Sequence, residues 1–115
     1  MSEACVVLTT TATEDEAQAM SRNLVQNRLA ACVQRLRMAS VYEWNGAIED
    51  SGEILLLIKT TVERYEEVEA WIAAHHSYQV PEILMLPATR GSARYLEWLA
   101  GGNRPGGGVA PLSAG

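Results

Sequence analysis

Two adjacent imidazoles, His75 and His76, are the only histidines in the chain, and Cys5 and Cys32 are its only thiols. Histidine nitrogens and a soft cysteine sulfur are the donors that a transition-metal ion such as a cuprous or divalent cation would select, so Cys32, His75 and His76 are the candidate metal ligands. On a helix, neighbouring side chains point about 100° apart, so the histidine pair cannot close on one ion without a non-helical turn. His75 also reads as a helix-terminal residue bonded to its own backbone, and both cysteines read as small buried side chains. Lys59 follows five aliphatic residues, Ile54-Leu55-Leu56-Leu57-Ile58, so its ammonium closes a buried strand and needs a partner. Tyr78 and Glu82 are the candidates, as an ion pair or hydrogen bond across a subunit boundary. GxSxG, HExxH, the Walker loop and GxGxxG after a strand are all missing, which argues against an enzyme.

The background chemistry is ordinary. With 115 residues, nine Lys plus Arg against fourteen Asp plus Glu and a net charge of -5, the chain is one small acidic domain with no basic patch for nucleic acid. No apolar run reaches the roughly 20 residues that span a bilayer, and the start lacks a signal-peptide pattern, so a cytoplasmic address is expected. Six of the nine glycines fall in 101–115, a segment with little to bury. The folded unit is therefore expected over 1–100, followed by a flexible Gly/Pro-rich tail.

The elements that must position these residues follow from periodicity. Ala4-Cys5-Val6-Val7-Leu8-Thr9 reads as a central strand. Thr13-Glu14-Asp15-Glu16 is a capping box opening a helix whose stripe is Ala17, Met20, Leu24, Val25 and Leu29. Alternation from Cys32 to Trp44 predicts a long strand, Asn45-Gly46 a type I′ turn, and Asp50-Ser51-Gly52 a bulge on the return. Thr60-x-x-Glu63 reads as a second capping box, for a helix carrying Tyr65, Val68, Ile72 and His75 on one face. Pro81 and Pro87 bracket a strand over Glu82-Ile83-Leu84-Met85-Leu86, and Ser92 caps a short final helix with Tyr95, Trp98 and Leu99. The order predicts an α+β, ferredoxin-like βαββαβ sandwich with both helices on one face of an antiparallel sheet and a short C-terminal helix.

One dimension does not fit a monomer. Strands of about 13 residues at roughly 3.3 Å each reach about 43 Å, while a compact chain of about 100 residues is some 34 Å across. Either the hairpin bends near Ala39-Ser40 and folds over its own sheet, or its tip projects and pairs with further copies. The second predicts a homo-oligomer with Tyr42, Trp44 and Ile48 in the interface, while Trp71 and Trp98 serve ordinary packing.

Taken in order, several blocks strongly resemble the CutA family of divalent-cation tolerance proteins: Leu8-Thr9-Thr10, Leu29-Ala30-Ala31-Cys32, Tyr42-x-Trp44-x-Gly46-x-Ile48, Glu53-x-Leu55-Leu56-Leu57-Ile58-Lys59-Thr60, His75-His76-x-Tyr78-Gln79-x-Pro81-Glu82, and Leu86-Pro87, Gly91 and Tyr95-Leu96-x-Trp98-Leu99. The resemblance implies a homotrimer built from edge strands and long hairpins, a role in tolerance of or response to metal ions, and a link to copper. No cofactor is required by it; copper or another divalent metal is the ligand it points to, and Cys32, His75 and His76 are the donors in this chain that could take it. It also implies an architecture similar to the PII signalling proteins, and hence an alternative function: a small anionic ligand held in an intersubunit cleft by Lys59, Tyr78 and Glu82. Ser77 stands where that family usually has proline, and Thr9 where some members carry cysteine.

Overall fold

The computed structural model describes residues 3–102. In chain order the elements are β1 (Ala4–Thr11), α1 (Glu14–Gln26), β2 (Cys32–Trp44), β3 (Ala47–Thr61), a 3-10 turn (Val62–Arg64), α2 (Tyr65–His75), β4 (Leu84–Pro87), α3 (Ala93–Glu97) and a closing π-helical turn (Trp98–Gly102). The expected tail lies outside the described residues apart from Gly101 and Gly102, which belong to that last turn.

The four strands form one antiparallel sheet in the order β2-β3-β1-β4. Strict alternation gives it two unlike faces. Cys5, Val7, Thr9 and Thr11 stand opposite Thr60, Ile58, Leu56 and Ile54, and all eight are buried. Ala17, Met20 and Leu24 of α1 and Val68 and Ile72 of α2 join them in one core, so both helices cover this face. The other face carries Leu36, Leu84 and Leu86, each half or more exposed. At one end of it Leu99 packs on Ala4 and Ala31, with Tyr95, Leu96 and Trp98 around them.

Local signals set α1 and the hairpin. Thr13 caps α1 by accepting the Glu16 amide at 3.2 Å, and the acidic first turn opposes the helix dipole. Asn45 (φ 53°) and Gly46 (φ 81°) make the expected turn with both central residues at positive φ. From Cys32↔Lys59 to Trp44↔Ala47 the register is unbroken. The bulge expected at Asp50-Ser51-Gly52 is therefore absent: these residues pair with Val41, Ser40 and Ala39, and the bend at Ala39-Ser40 does not occur either.

Other corrections come from tertiary partners. Val25 is 40% exposed and Leu29 lies beyond the helix, while Ser21 is buried and returns its hydroxyl to the Ala17 carbonyl at 2.7 Å. Thr60 does not cap a helix. It continues β3 and donates to the Leu29 carbonyl at 2.6 Å, and the 3-10 turn that follows has no side-chain cap. The last strand begins at Leu84 rather than Glu82 and includes Pro87, which an edge strand tolerates. Cys5 is buried, which raises its thiol pKa, but Cys32 is only partly covered.

Because β1 ends opposite Ile54, the seven pairs from Met38↔Glu53 to Trp44↔Ala47 continue as a two-stranded arm with β2 alone beside β3. The described residues accordingly measure 50 × 28 × 25 Å.

Candidate functional site

The 76–82 segment leaves α2 and runs beside the base of this arm. Alternation puts Ser40, Tyr42 and Trp44 of β2 and Glu53 of β3 on the face away from the helices. Between these residues and Tyr78, Gln79, Val80 and Glu82 lies a cleft of about 670 Å3, floored by Thr10.

Its floor is a hydrogen-bonded cluster centred on Glu53. The Thr10 hydroxyl donates to Glu53 Oε2 at 3.0 Å and the Tyr78 phenol donates to the same oxygen at 2.8 Å. Burial by itself would raise the Glu53 carboxyl, but hydrogen bonds from Ser40, Tyr78 and Thr10, with the His76 ring nearby, outweigh it and hold the carboxyl below the usual value. Burial first, then the hydrogen bond to Glu53 and its charge, push the Tyr78 phenol well above the ordinary tyrosine range. The pair therefore works as a fixed anion and a fixed donor.

His76 locks the loop. Its side chain is wholly buried, Nε2 donates to the Thr10 carbonyl at 2.7 Å, and Nδ1 accepts the Tyr78 amide at 3.0 Å. An acceptor at Nδ1 fixes the Nε2–H tautomer, so both nitrogens are engaged. Glu16 fastens the same loop to α1: one carboxylate oxygen accepts the Ser77 amide at 2.9 Å and the other the Ser77 hydroxyl at 2.8 Å. A proline at position 77 would lack both donors. Glu16 thus serves the loop instead of returning to Thr13, and the expected reciprocal box is half made.

The candidate metal ligands do not come together within the protomer. His75 is exposed; its Nδ1 donates to the Trp71 carbonyl at 2.7 Å, and the ring stacks on Trp71 at 4.0 Å. Its place on the apolar stripe is not kept, because the partner is Trp71 rather than the core. Cys32 stands opposite Lys59, four strand positions from the residue opposite Thr10. Among the described residues no group of three or more His, Cys, Asp or Glu could hold a metal ion.

The cleft residues named from sequence are divided as well. Tyr78 and Glu82 line it together with Tyr42 and Trp44. Lys59 does not: its ammonium donates to Gln34 Oε1 at 2.7 Å and lies 6.0 Å from the Tyr95 ring centre. Ile48, on the opposite face of the arm, is 73% exposed. Sequence reasoning missed Glu53, Thr10 and Glu16. For Glu53 a signal existed: it shares the uncovered face with Leu55 and Leu57 and directly precedes the aliphatic run Ile54–Ile58, an acid at the edge of an otherwise apolar strand.

Comparison with known proteins adds a family. A model described as CutA1 divalent ion tolerance protein matches residues 5–101. The divalent-cation tolerance protein CutA of Thermus thermophilus is 41% identical over 95 residues, covering 82% of this chain and 92% of that protein. The chloroplastic protein CutA of Arabidopsis thaliana is 40% identical over 100 residues, covering 86% of this chain and 55% of its own length. The solved structure of a periplasmic divalent cation tolerance protein CutA from Archaeoglobus fulgidus superposes with a TM-score of 0.82 at 32% identity, covering 84% of this chain and 94% of that one. The family model and the Thermus and Archaeoglobus proteins are described by ion tolerance, and none of the four descriptions names a catalysed reaction.

Proposed function

This chain belongs to the CutA1 divalent ion tolerance protein family, and from that premise we propose that it acts as a homotrimer in tolerance of, or response to, divalent metal ions. The arm carries this reading. Seven strand pairs project past β1, with Val41 69% and Ile48 73% exposed and one edge of β3 unpaired over 47–53. A lone two-stranded ribbon is marginal in water, and an unpaired edge is a template for another strand. Pairing with further copies satisfies both, with Tyr42, Trp44 and Ile48 at the contact. Three copies is the number the family resemblance implies.

Copper is bound weakly in this reading, by single donors. The fit within one protomer is poor for a chelate: His76 has no nitrogen left, and among the described residues Cys32 and His75 join no group of three or more His, Cys, Asp or Glu that could hold a metal ion. Light scattering should give three times the 12.5 kDa chain mass, and copper titration should give weak binding that His75→Ala and Cys32→Ser each reduce. A monomer would remove the assembly. Tight binding unchanged in both variants would remove these ligands.

The cleft favours a second reading, a PII-like signalling protein that holds a small ligand at a subunit boundary. Tyr78, Glu82 and the arm aromatics support it, since they line one cavity. Among the described residues no helix is long and apolar enough to cross a membrane. The cytoplasm is the compartment we propose, which cell fractionation checks.

A further inference from the structure

The cleft has a sign of charge, and it is the reverse of the one expected when Lys59 was placed there. Two carboxylates, Glu53 and Glu82, and three aromatic residues, Tyr42, Trp44 and Tyr78, line it; among the described residues, Lys, Arg and His contribute nothing to its wall. Lys59 is engaged with Gln34. The negative charge of Glu53 is built in, because Thr10 and Tyr78 both donate to it. On the wall that one protomer supplies, an anion would meet like charge, whereas a cation meets two carboxylates and the electron-rich faces of the rings. The volume, about 670 Å3, falls within the roughly 300–1,000 Å3 of small-molecule pockets.

The nature of the cation follows from what surrounds the charge. A hard metal ion needs several converging oxygens, and such a group is absent among the described residues. Aromatic walls with a carboxylate at the floor and another at the rim suit a charge carried on carbon. We propose that this cleft binds a small organic cation, an alkylammonium head seated against Tyr42 and Trp44 with Glu53 and Glu82 as its counter-charges. The proposal rests on the small-ligand reading of the cleft and names its ligand class.

Butylammonium, 1-butanol and butyrate share one carbon chain and differ in charge, so they isolate the effect. Titrated into the full-length protein at low salt and followed by ligand-observed NMR, butylammonium should bind saturably and at least about ten-fold more tightly than butanol, with butyrate not binding. Glu82 is exposed, so its replacement leaves the fold intact. Glu82→Gln should weaken butylammonium about three- to five-fold, and Glu82→Lys should abolish its preference over butyrate. Equal binding of butanol and butylammonium would overturn the proposal by making the cleft merely apolar. Preferential binding of butyrate would overturn the charge assignment yet leave the small-ligand reading standing. Binding by none of the three would overturn both, with the cleft closed by a second copy's arm.

Discussion

Glu53 accepts protons' worth of hydrogen bonding from three side chains while carrying a charge, and that arrangement makes the cleft acid-sensitive in a definite direction. Its folded-state carboxyl titrates below the usual 4.5. A depressed carboxyl contributes stability that is complete above its unfolded value and is lost as pH falls through the folded one. Glu53→Gln should therefore lower the melting temperature at pH 7, and the gap from the natural protein should narrow as pH falls below the usual carboxylate value and through the lowered folded one. Thermal melts across that range check it; a gap that stays constant would mean Glu53 contributes shape and not charge. Taking the difference between the two proteins cancels the titrating groups that do not interact with Glu53. The site was only partly legible in sequence for the same physical reason. Residue types announced that His75, His76 and Cys32 are donors, but not that His76 spends both nitrogens on Thr10 and Tyr78, or that Lys59 turns to Gln34. Those pairings join residues far apart in sequence, and spacing carries no information about them.

Elements governed by neighbours were legible; those governed by distant partners were not. Thr13 and Ser92 cap helices as their sequence contexts predict, because the bonded amides lie three residues on. The same logic fails at Thr60, whose hydroxyl finds the Leu29 carbonyl across the fold and whose strand simply continues. Asp50-Ser51-Gly52 reads as a bulge by composition, yet cross-strand pairing with 39–41 keeps it in register. Asn45-Gly46 is the local signal with the largest consequence, since it sets the register of thirteen strand pairs. Open space surrounds Gly46, so its requirement is conformational: at φ +81° a side chain is strained wherever it points. Gly46→Val should cost about 1–2 kcal/mol in chemical denaturation, whereas Asn45→Gly should cost less than about 0.5 kcal/mol. Equal costs would show that the turn relaxes to another type and that strand pairing alone fixes the arm.

At the scale of the whole molecule, the question is what the arm is stable against. Exposed substitutions in a monomer usually change stability by no more than about 0.5 kcal/mol. Val25 and Ile48 are both exposed in the protomer, at 40% and 73%, but Val25 sits on α1 and Ile48 on the arm. A charge at each position therefore separates free surface from covered surface. Val25→Glu should leave particle mass and melting temperature nearly unchanged. Ile48→Glu should lower the mass toward that of one chain and the melting temperature by at least about 5 °C at micromolar concentration, because the buried carboxylate would lack a partner. The natural protein should also melt at higher temperature as its concentration rises, since assembly binds only folded copies. If both variants behaved alike, and melting were independent of concentration, the arm would be a monomer's appendage. Its exposed Val41 and Ile48 would then require another partner, and the cleft at its base would open directly to solvent.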